Sequence, residues 1–259
     1  LGDKSVVDSM MYDGLFCAFD QVAMGAGTEK YAASAGLERG PQDDLAAKSH
    51  ERAAAAIKEG RFADEIVNVE VPQRRGDPIV VDTDEGVRPG TTVESLAALR
   101  PAFDKAGNIT AGNASQISDG GAAVVVVSKA VAERLGAQPL GEIVGYGQVA
   151  GPDPSLLTQP SRAINAALES AGRSIGDVDL FELNEAFAAV GLASMADLGI
   201  SDDVVNVNGG AIALGHPIGM SGTRVALTLL HELKRRGGGL GAAALCGGGG
   251  QGDAVLLSV

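Results

Sequence analysis

Val204-Val205-Asn206-Val207-Asn208-Gly209-Gly210-Ala211-Ile212-Ala213-Leu214-Gly215-His216-Pro217-Ile218-Gly219 is the stretch whose reading decides the fold. Residues 204–207 predict a β-strand, and the strand runs straight into a glycine-rich segment ending in a histidine between glycine and proline. Open α/β sheets place their ligands in such segments, directly after a strand. Working outward, the same order recurs on both sides. Strands are predicted at 142–149 and 178–183, each followed by a helical pattern, at 161–171 and 186–198. Downstream come a helix at 221–236 and two strands, 242–245 and 254–258, which a glycine turn makes antiparallel. Strands alternating with helices predict an α/β layered fold.

Upstream the pattern weakens. To about residue 112 the chain is polar and irregular, which reads as a cap and not a core. Its clearest element is a helix at 42–59, where Leu45, Ala46, Ala53, Ala56 and Ile57 recur at helical spacing and Gly60 supplies a stop. His50, flanked by Lys48, Ser49, Glu51 and Arg52, is expected on the solvated face of this helix. Residues 122–127 form a continuous apolar, β-branched run, the mark of a strand buried on both faces of a mostly parallel sheet. Ser128 then opens a short helix ending near Gly136. No internal repeat of 20 to 50 residues is found.

The 259 residues are 45% hydrophobic, enough to bury one large core or two smaller ones. A formal net charge of -13, with a pI of about 4.6, disfavours nucleic acid and anionic membranes, because the summed field repels them. A small phosphorylated ligand stays possible where local arginines or backbone amides override that field. No apolar run approaches the roughly 20 residues of a membrane span, and a cytoplasmic location is expected. Cys17 and Cys246 lie far apart with no C-x-x-C spacing, and His50, His216 and His231 share no ligand spacing, so no metal and no disulfide framework are expected. Leu1 in place of a start methionine suggests a fragment, a processed product, or a chain whose beginning was not recorded.

Three segments, each after a strand, hold the chemistry: Asn184-Glu185-Ala186-Phe187, the stretch ending at His216 to Gly219, and Cys246-Gly247-Gly248-Gly249-Gly250-Gln251-Gly252. Two readings of His216 stand. It faces a cleft, where it donates a hydrogen bond to a substrate oxygen or takes a proton from a nucleophile, or it is a buried histidine satisfying a backbone carbonyl. Cys246 is open in the same way. The glycines after it let backbone N–H groups approach a substrate and form an oxyanion site next to a thiol of tunable pKa, or Cys246 is a small buried hydrophobe beside a tight hairpin. No P-loop or complete dinucleotide fingerprint accompanies the glycines.

Taken together with Asn113-Ala114-Ser115 and Leu99-Arg100-Pro101-Ala102-Phe103, these segments resemble the C-terminal two-thirds of the thiolase family, along essentially the whole chain. The resemblance implies acyltransferase chemistry on coenzyme A thioesters: Claisen condensation or thiolytic cleavage of 3-ketoacyl-CoA, in lipid metabolism. It implies no cofactor, since coenzyme A and acyl-CoA are substrates, and a homodimer or homotetramer. In the same terms, Cys246 resembles the acid/base thiol at the α-carbon. His216 resembles the histidine that activates the nucleophile and contributes to an oxyanion hole. Asn184 resembles the residue that positions a water there, and the Gly248 amide a donor of a second hole. Arg88, Ser95, Ala111 and Ser115 resemble coenzyme A contacts, and Met24 and Phe187 resemble acyl-pocket walls. Where many members carry His-Met, this chain has Ala23-Met24.

On the family plan, 1–116 would be most of the loop domain, 117–139 the last strand and helix of an otherwise absent N-terminal half, and 140–259 the complete C-terminal domain. The segment that holds the nucleophilic cysteine is not found in these residues. Cys17, among apolar neighbours without a glycine elbow, is expected to be a packed thiol in a cap helix. Two functions are therefore expected to compete: a thiolase competent only together with that nucleophile, or a non-catalytic fragment that binds coenzyme A or pairs subunits.

Overall fold

The computed structural model describes residues 2–259. Its centre is a four-stranded sheet in the order β5-β8-β7-β6, with β5 at Glu142–Ala150, β6 at Leu180–Leu183, β7 at Leu240–Gly247 and β8 at Gln251–Ser258. β5 and β7 each pair antiparallel with β8, and β6 pairs parallel with β7. The α/β layering expected from the sequence is present. Parallel pairing, however, joins just β6 and β7 among the named strands, so the sheet is mixed and not mostly parallel.

Both faces of the sheet are covered, and successive residues serve opposite faces. Phe181, Leu183, Ala242, Ala244 and Leu256 pack with Ala163, Ile164, Ala167 and Leu168 of helix α5 (Gln159–Ala171) and with Met195 and Leu198 of helix α6 (Ala188–Leu198). Leu180, Ala243 and Leu257 pack with Val225, Leu229 and Leu233 of helix α8 (Ser221–Arg236). The alanines of β7 and the glycines of β5 let the helices come close. A Cβ on Gly147 would collide with the backbone of α5 at Ala163, so a larger residue there would push helix and sheet apart.

Around this layer lie a two-residue hairpin, β1 (Phe16–Cys17) with β2 (Val22–Ala23), helix α1 (Met24–Ser34), helix α2 (Arg39–Lys58) and an exposed hairpin, β3 (Val69–Val71) with β4 (Ile79–Val81). Helix α3 (Val93–Ala97) starts at a Thr92/Ser95 capping box, α4 spans Lys129–Leu135 with Ser128 as its N-cap and Gly136 left-handed at its end, and α7 is Ala211–Leu214. The region expected to be a cap contributes to the core after all. Leu45 and Ala46 of α2 and Leu96 of α3 belong to the cluster under α5 and α6. No helix is long and apolar enough to cross a membrane among the described residues.

Two predicted strands do not form. Residues 202–204 make a 3-10 turn, and Val205 contributes a lone parallel bridge to Phe181. The cause is Asn206, at φ 46, whose side-chain amide replaces a strand residue: Oδ1 accepts from the Leu183 N–H at 2.8 Å and Nδ2 donates to the Leu183 carbonyl at 2.8 Å. The run 122–127 is not a strand either, and Val125 is 91% exposed. A β-branched run becomes a strand when a neighbour completes its hydrogen bonds, and among the described residues no strand lies beside it.

Candidate functional site

The site gathers at the carboxyl ends of β6 and β7. The last pair of these parallel strands is Leu183 with Ala244, and the Asn184 N–H then donates to the Ala244 carbonyl at 2.9 Å. Asn184 is thus set beside the strand end that carries Cys246. Its side chain turns to His216, with Nδ2 donating to Nε2 at 3.2 Å. On the other side of the ring, Nδ1 lies 2.6 Å from Ser221 Oγ, and that hydroxyl donates to the Pro217 carbonyl at 2.9 Å. With its proton committed there, Ser221 accepts from Nδ1–H, and Nε2 keeps its lone pair. Burial, and then the Arg224 charge, hold the His216 pKa below 6.5, so the ring is neutral at pH 7. A neutral imidazole whose Nε2 carries a lone pair and not a proton is a base, and here that lone pair accepts from the Asn184 amide, which a nucleophile's proton would displace. The bland reading of His216, a ring satisfying a backbone carbonyl, does not hold, because its partners are side chains. Asn184 Oδ1 is buried without a donor among the described residues.

The His216 segment is braced from two sides. Glu185, next to Asn184, accepts from Ser49 Oγ of α2 at 2.7 Å, from Asn206 Nδ2 at 2.8 Å and from the Ile212 N–H at 3.1 Å. A Cβ on Gly210 would collide with the Glu185 carboxylate, which is why that turn carries glycine. From the opposite side, Gln116 Nε2 donates to the carbonyls of Gly86, Ile212 and Ala213, and its own carbonyl accepts from the His216 N–H at 3.1 Å.

Cys246 is built differently. It ends β7, opposite Gly252 of β8, and sits in an apolar cluster with Ala32, Leu156, Leu157, Ala186, Ala189 and Val190. Burial pushes its thiol up to about 12, so at neutral pH it is an S–H and not a thiolate. The turn after it is covered by two apolar side chains, since a Cβ on Gly248 would meet the Met24 methyl and one on Gly249 would meet the Phe19 ring.

Known families and solved structures match the chain as a whole. A family model described as the thiolase N-terminal domain matches residues 1–130, and one described as the thiolase C-terminal domain matches 137–259. The chain belongs to the thiolase family. It is 57% identical over 256 residues to a probable acetyl-CoA acetyltransferase of Mycolicibacterium smegmatis, covering 99% of this chain and 66% of that protein. An acetyl-CoA acetyltransferase of Pseudomonas aeruginosa is 52% identical over 259 residues, covering 100% and 66%. Among solved structures, the Bacillus anthracis acetyl-CoA acetyltransferase superposes with a TM-score of 0.94 at 41% identity, over 100% of this chain and 65% of that one. Human mitochondrial 3-ketoacyl-CoA thiolase gives 0.93 at 41%, over 99% and 64%. The chain thus spans just under two thirds of the length of these thiolases.

The remaining positions named from the sequence lie on the elements around the His216 segment. Ser115 donates its N–H to the Ala186 carbonyl, and Ala114 bridges to Phe187, so this segment lies against the start of α6 before Gln116 reaches His216. Phe187 packs edge-to-face on Phe103, with centroids 6.3 Å apart, and the Phe103 ring lies on Gly25, beside Met24. Met24 and Phe187 are therefore two parts of one apolar wall. Leu96 and Leu99 pack on Gly112, and the flanking Ser95 and Ala111 are both exposed. The Ser95 hydroxyl is already engaged, accepting from the Thr92 N–H at 3.1 Å and donating to the Thr92 carbonyl at 2.7 Å. Arg88 is exposed, at a turn two residues beyond Gly86.

Two expectations are corrected here. His50 is 4% exposed, not solvated, and its Nδ1 accepts from the Arg88 N–H at 3.2 Å. The signal was present, because His50 stands four residues after Ala46 and three before Ala53, on the apolar stripe of α2. Cys17 is packed as expected, but in the β1 strand and not a helix, with its sulfur accepting from the Asp20 N–H at 3.4 Å. Ser221, Gln116, Glu185 and Phe103 were not singled out as site residues. Their partners lie 4 to 136 positions away, and sequence spacing carries no trace of most of those pairs.

Proposed function

We propose that this chain supplies the acid/base and oxyanion-binding groups of a thiolase acting on 3-ketoacyl-CoA, by condensation or by thiolysis. The observation that carries the reading is the His216–Asn184 pair, set at the carboxyl end of β6 beside the Cys246 end of β7. In thiolysis, Cys246 gives its S–H proton to the α-carbon of the departing enolate. In condensation, Cys246 first gives its S–H proton to the coenzyme A thiolate that departs on acyl transfer, and the Cys246 thiolate so formed, basic because of burial, removes the α-proton. His216 takes the proton of a nucleophilic thiol, and a water held on Asn184 Oδ1 donates to the thioester oxygen, joined at a second oxyanion site by the Gly248 amide. Arg88, Ser95, Ala111 and Ser115 line the coenzyme A path, and Met24, Phe103 and Phe187 wall the acyl group. The reading requires a nucleophilic thiol other than Cys246, which it assigns to the α-carbon, and other than Cys17, which is packed in its hairpin. It carries with it no cofactor, a homodimer or homotetramer, and a cytoplasmic location. The test is deuterium exchange at the α-carbon of acetyl-CoA, followed by NMR in the full enzyme. Cys246→Ala is expected to abolish exchange while acyl transfer onto the nucleophile stays detectable. An acyl group mapped onto Cys246 itself would overturn the assignment.

A further inference from the structure

His50 takes no part in the chemistry above, yet it is a buried ionisable side chain whose acceptor atom is spent on one backbone amide, that of Arg88. The segment it holds is a preformed turn. Pro89 presets φ near about -65°, Gly90 takes φ 83, and the Thr91 N–H closes the turn on the Arg88 carbonyl at 3.3 Å, with Thr91 Oγ1 on the same carbonyl at 2.8 Å. Beyond it, Thr92 is fixed by its capping box with Ser95. Between these two ends, Pro89, Gly90 and Thr91 face α2 across a cavity of about 490 Å³. The turn is therefore stiff in itself but rests on α2 through few contacts, and the hydrogen bond to His50 locates its first residue. The neighbouring side chain, Ser49, makes the companion contact to the catalytic segment: it donates to Glu185 and accepts from the Gly210 N–H at 3.0 Å. Consecutive residues of one helix thus hold the two halves of the site in register.

We propose that His50 is a positioning residue for the coenzyme A moiety, its Nδ1 lone pair fixing the Arg88–Thr91 turn at the distance from His216 that the bound thioester spans. This assignment rests on the reading of Arg88 as a coenzyme A contact. Burial, and then the Arg88 charge, hold the His50 pKa below its ordinary 6.5, which keeps Nδ1 unprotonated at pH 7 and agrees with the acceptor role.

The experiment pairs His50→Ala with His50→Asn in the full enzyme. Alanine is the best helix former and removes the acceptor, whereas the Asn Oδ1 stands where Nδ1 stood. Thiolysis kinetics and calorimetric titration with coenzyme A are measured for both, with Arg88 amide hydrogen exchange followed alongside. The expected result for His50→Ala is a KM and a Kd for coenzyme A raised about tenfold, as the loss of roughly 1.4 kcal/mol from one hydrogen bond would give, with kcat within about twofold and faster Arg88 exchange. His50→Asn is expected to restore all three. Wild-type binding with the same Kd in both variants overturns the His50 assignment alone, as does a fall in kcat without a change in KM, or an Asn variant no better than Ala. Should His50→Ala be too unstable to assay, a Kd weakened about tenfold in the folded Asn variant overturns it equally. A wild-type enzyme that does not bind coenzyme A overturns the reading of the site itself, and this assignment with it.

Discussion

The segment carrying His216 and the turn carrying Cys246 leave the same end of one sheet, but the first is tied down by polar groups and the second is walled in by apolar ones. His216 has a side-chain partner on each ring nitrogen, and Gln116 and Glu185 brace its backbone. Cys246 has a ladder position and an apolar cluster, and its thiol is shifted by burial far more than by any partner. On the proposed function, the difference teaches how two proton carriers are prepared for opposite tasks. A histidine that must accept a proton needs its tautomer chosen, which takes directional hydrogen bonds. A thiol that must hold its proton until a carbanion forms needs water kept away, which takes packing.

The largest test of this contrast is Cys246→Ala, for which α-proton exchange should fall by roughly 10² to 10⁴, the usual weight of a general acid/base. Exchange within tenfold of wild type would end the case for Cys246 as the proton carrier. A second test asks whether burial alone sets the thiol. At pH 8, iodoacetamide should label Cys246 roughly a thousandfold more slowly than a free cysteine, because the thiolate fraction falls with the raised pKa. Labelling at the free-thiol rate would mean that an uncounted charge stabilises the thiolate. Next, Ser221→Ala should leave Cys246 labelling unchanged and lower kcat about tenfold, the worth of one charge-assisted hydrogen bond to the developing imidazolium. If kcat does not move, Ser221 does not set the tautomer.

The smallest effect concerns pH. The folded His216 has a pKa below 6.5, so it binds fewer protons than the unfolded chain as the pH falls through 6.5. The stability contributed by its neutral form is present above 6.5 and lost as pH falls toward the folded pKa. The acid limb of kcat/KM should accordingly lie below pH 6.5. A limb above 6.5 would assign the titration to another group.

Most of the layer was legible because its signals are local. Ser221–Arg236 was bounded to the residue, and β7 and β8 were extended by the structure but not moved. Local periodicity also misled where the partner was not a local matter. The runs 122–127 and 242–245 are both short and wholly apolar, and the first is the more β-branched, yet β7 lies between two strands and the other run has none beside it among the described residues. The predicted strand at 204–207 failed for a related reason, since its place beside Leu183 is taken by the Asn206 side chain.

By itself the sequence determined the α/β order and the three segments that carry Asn184, His216 and Cys246, two of them glycine-rich, and through their resemblance the family. Those features are set by residue type and spacing along the chain, where covalent neighbours decide the geometry. What waited for the tertiary structure was the proton arrangement: Ser221 choosing the His216 tautomer, burial raising the Cys246 pKa to about 12, and His50 turning inward to the Arg88 amide. A pKa or a tautomer depends on which groups surround an atom in three dimensions, and residues far apart in sequence become those surroundings once the helices close on the sheet.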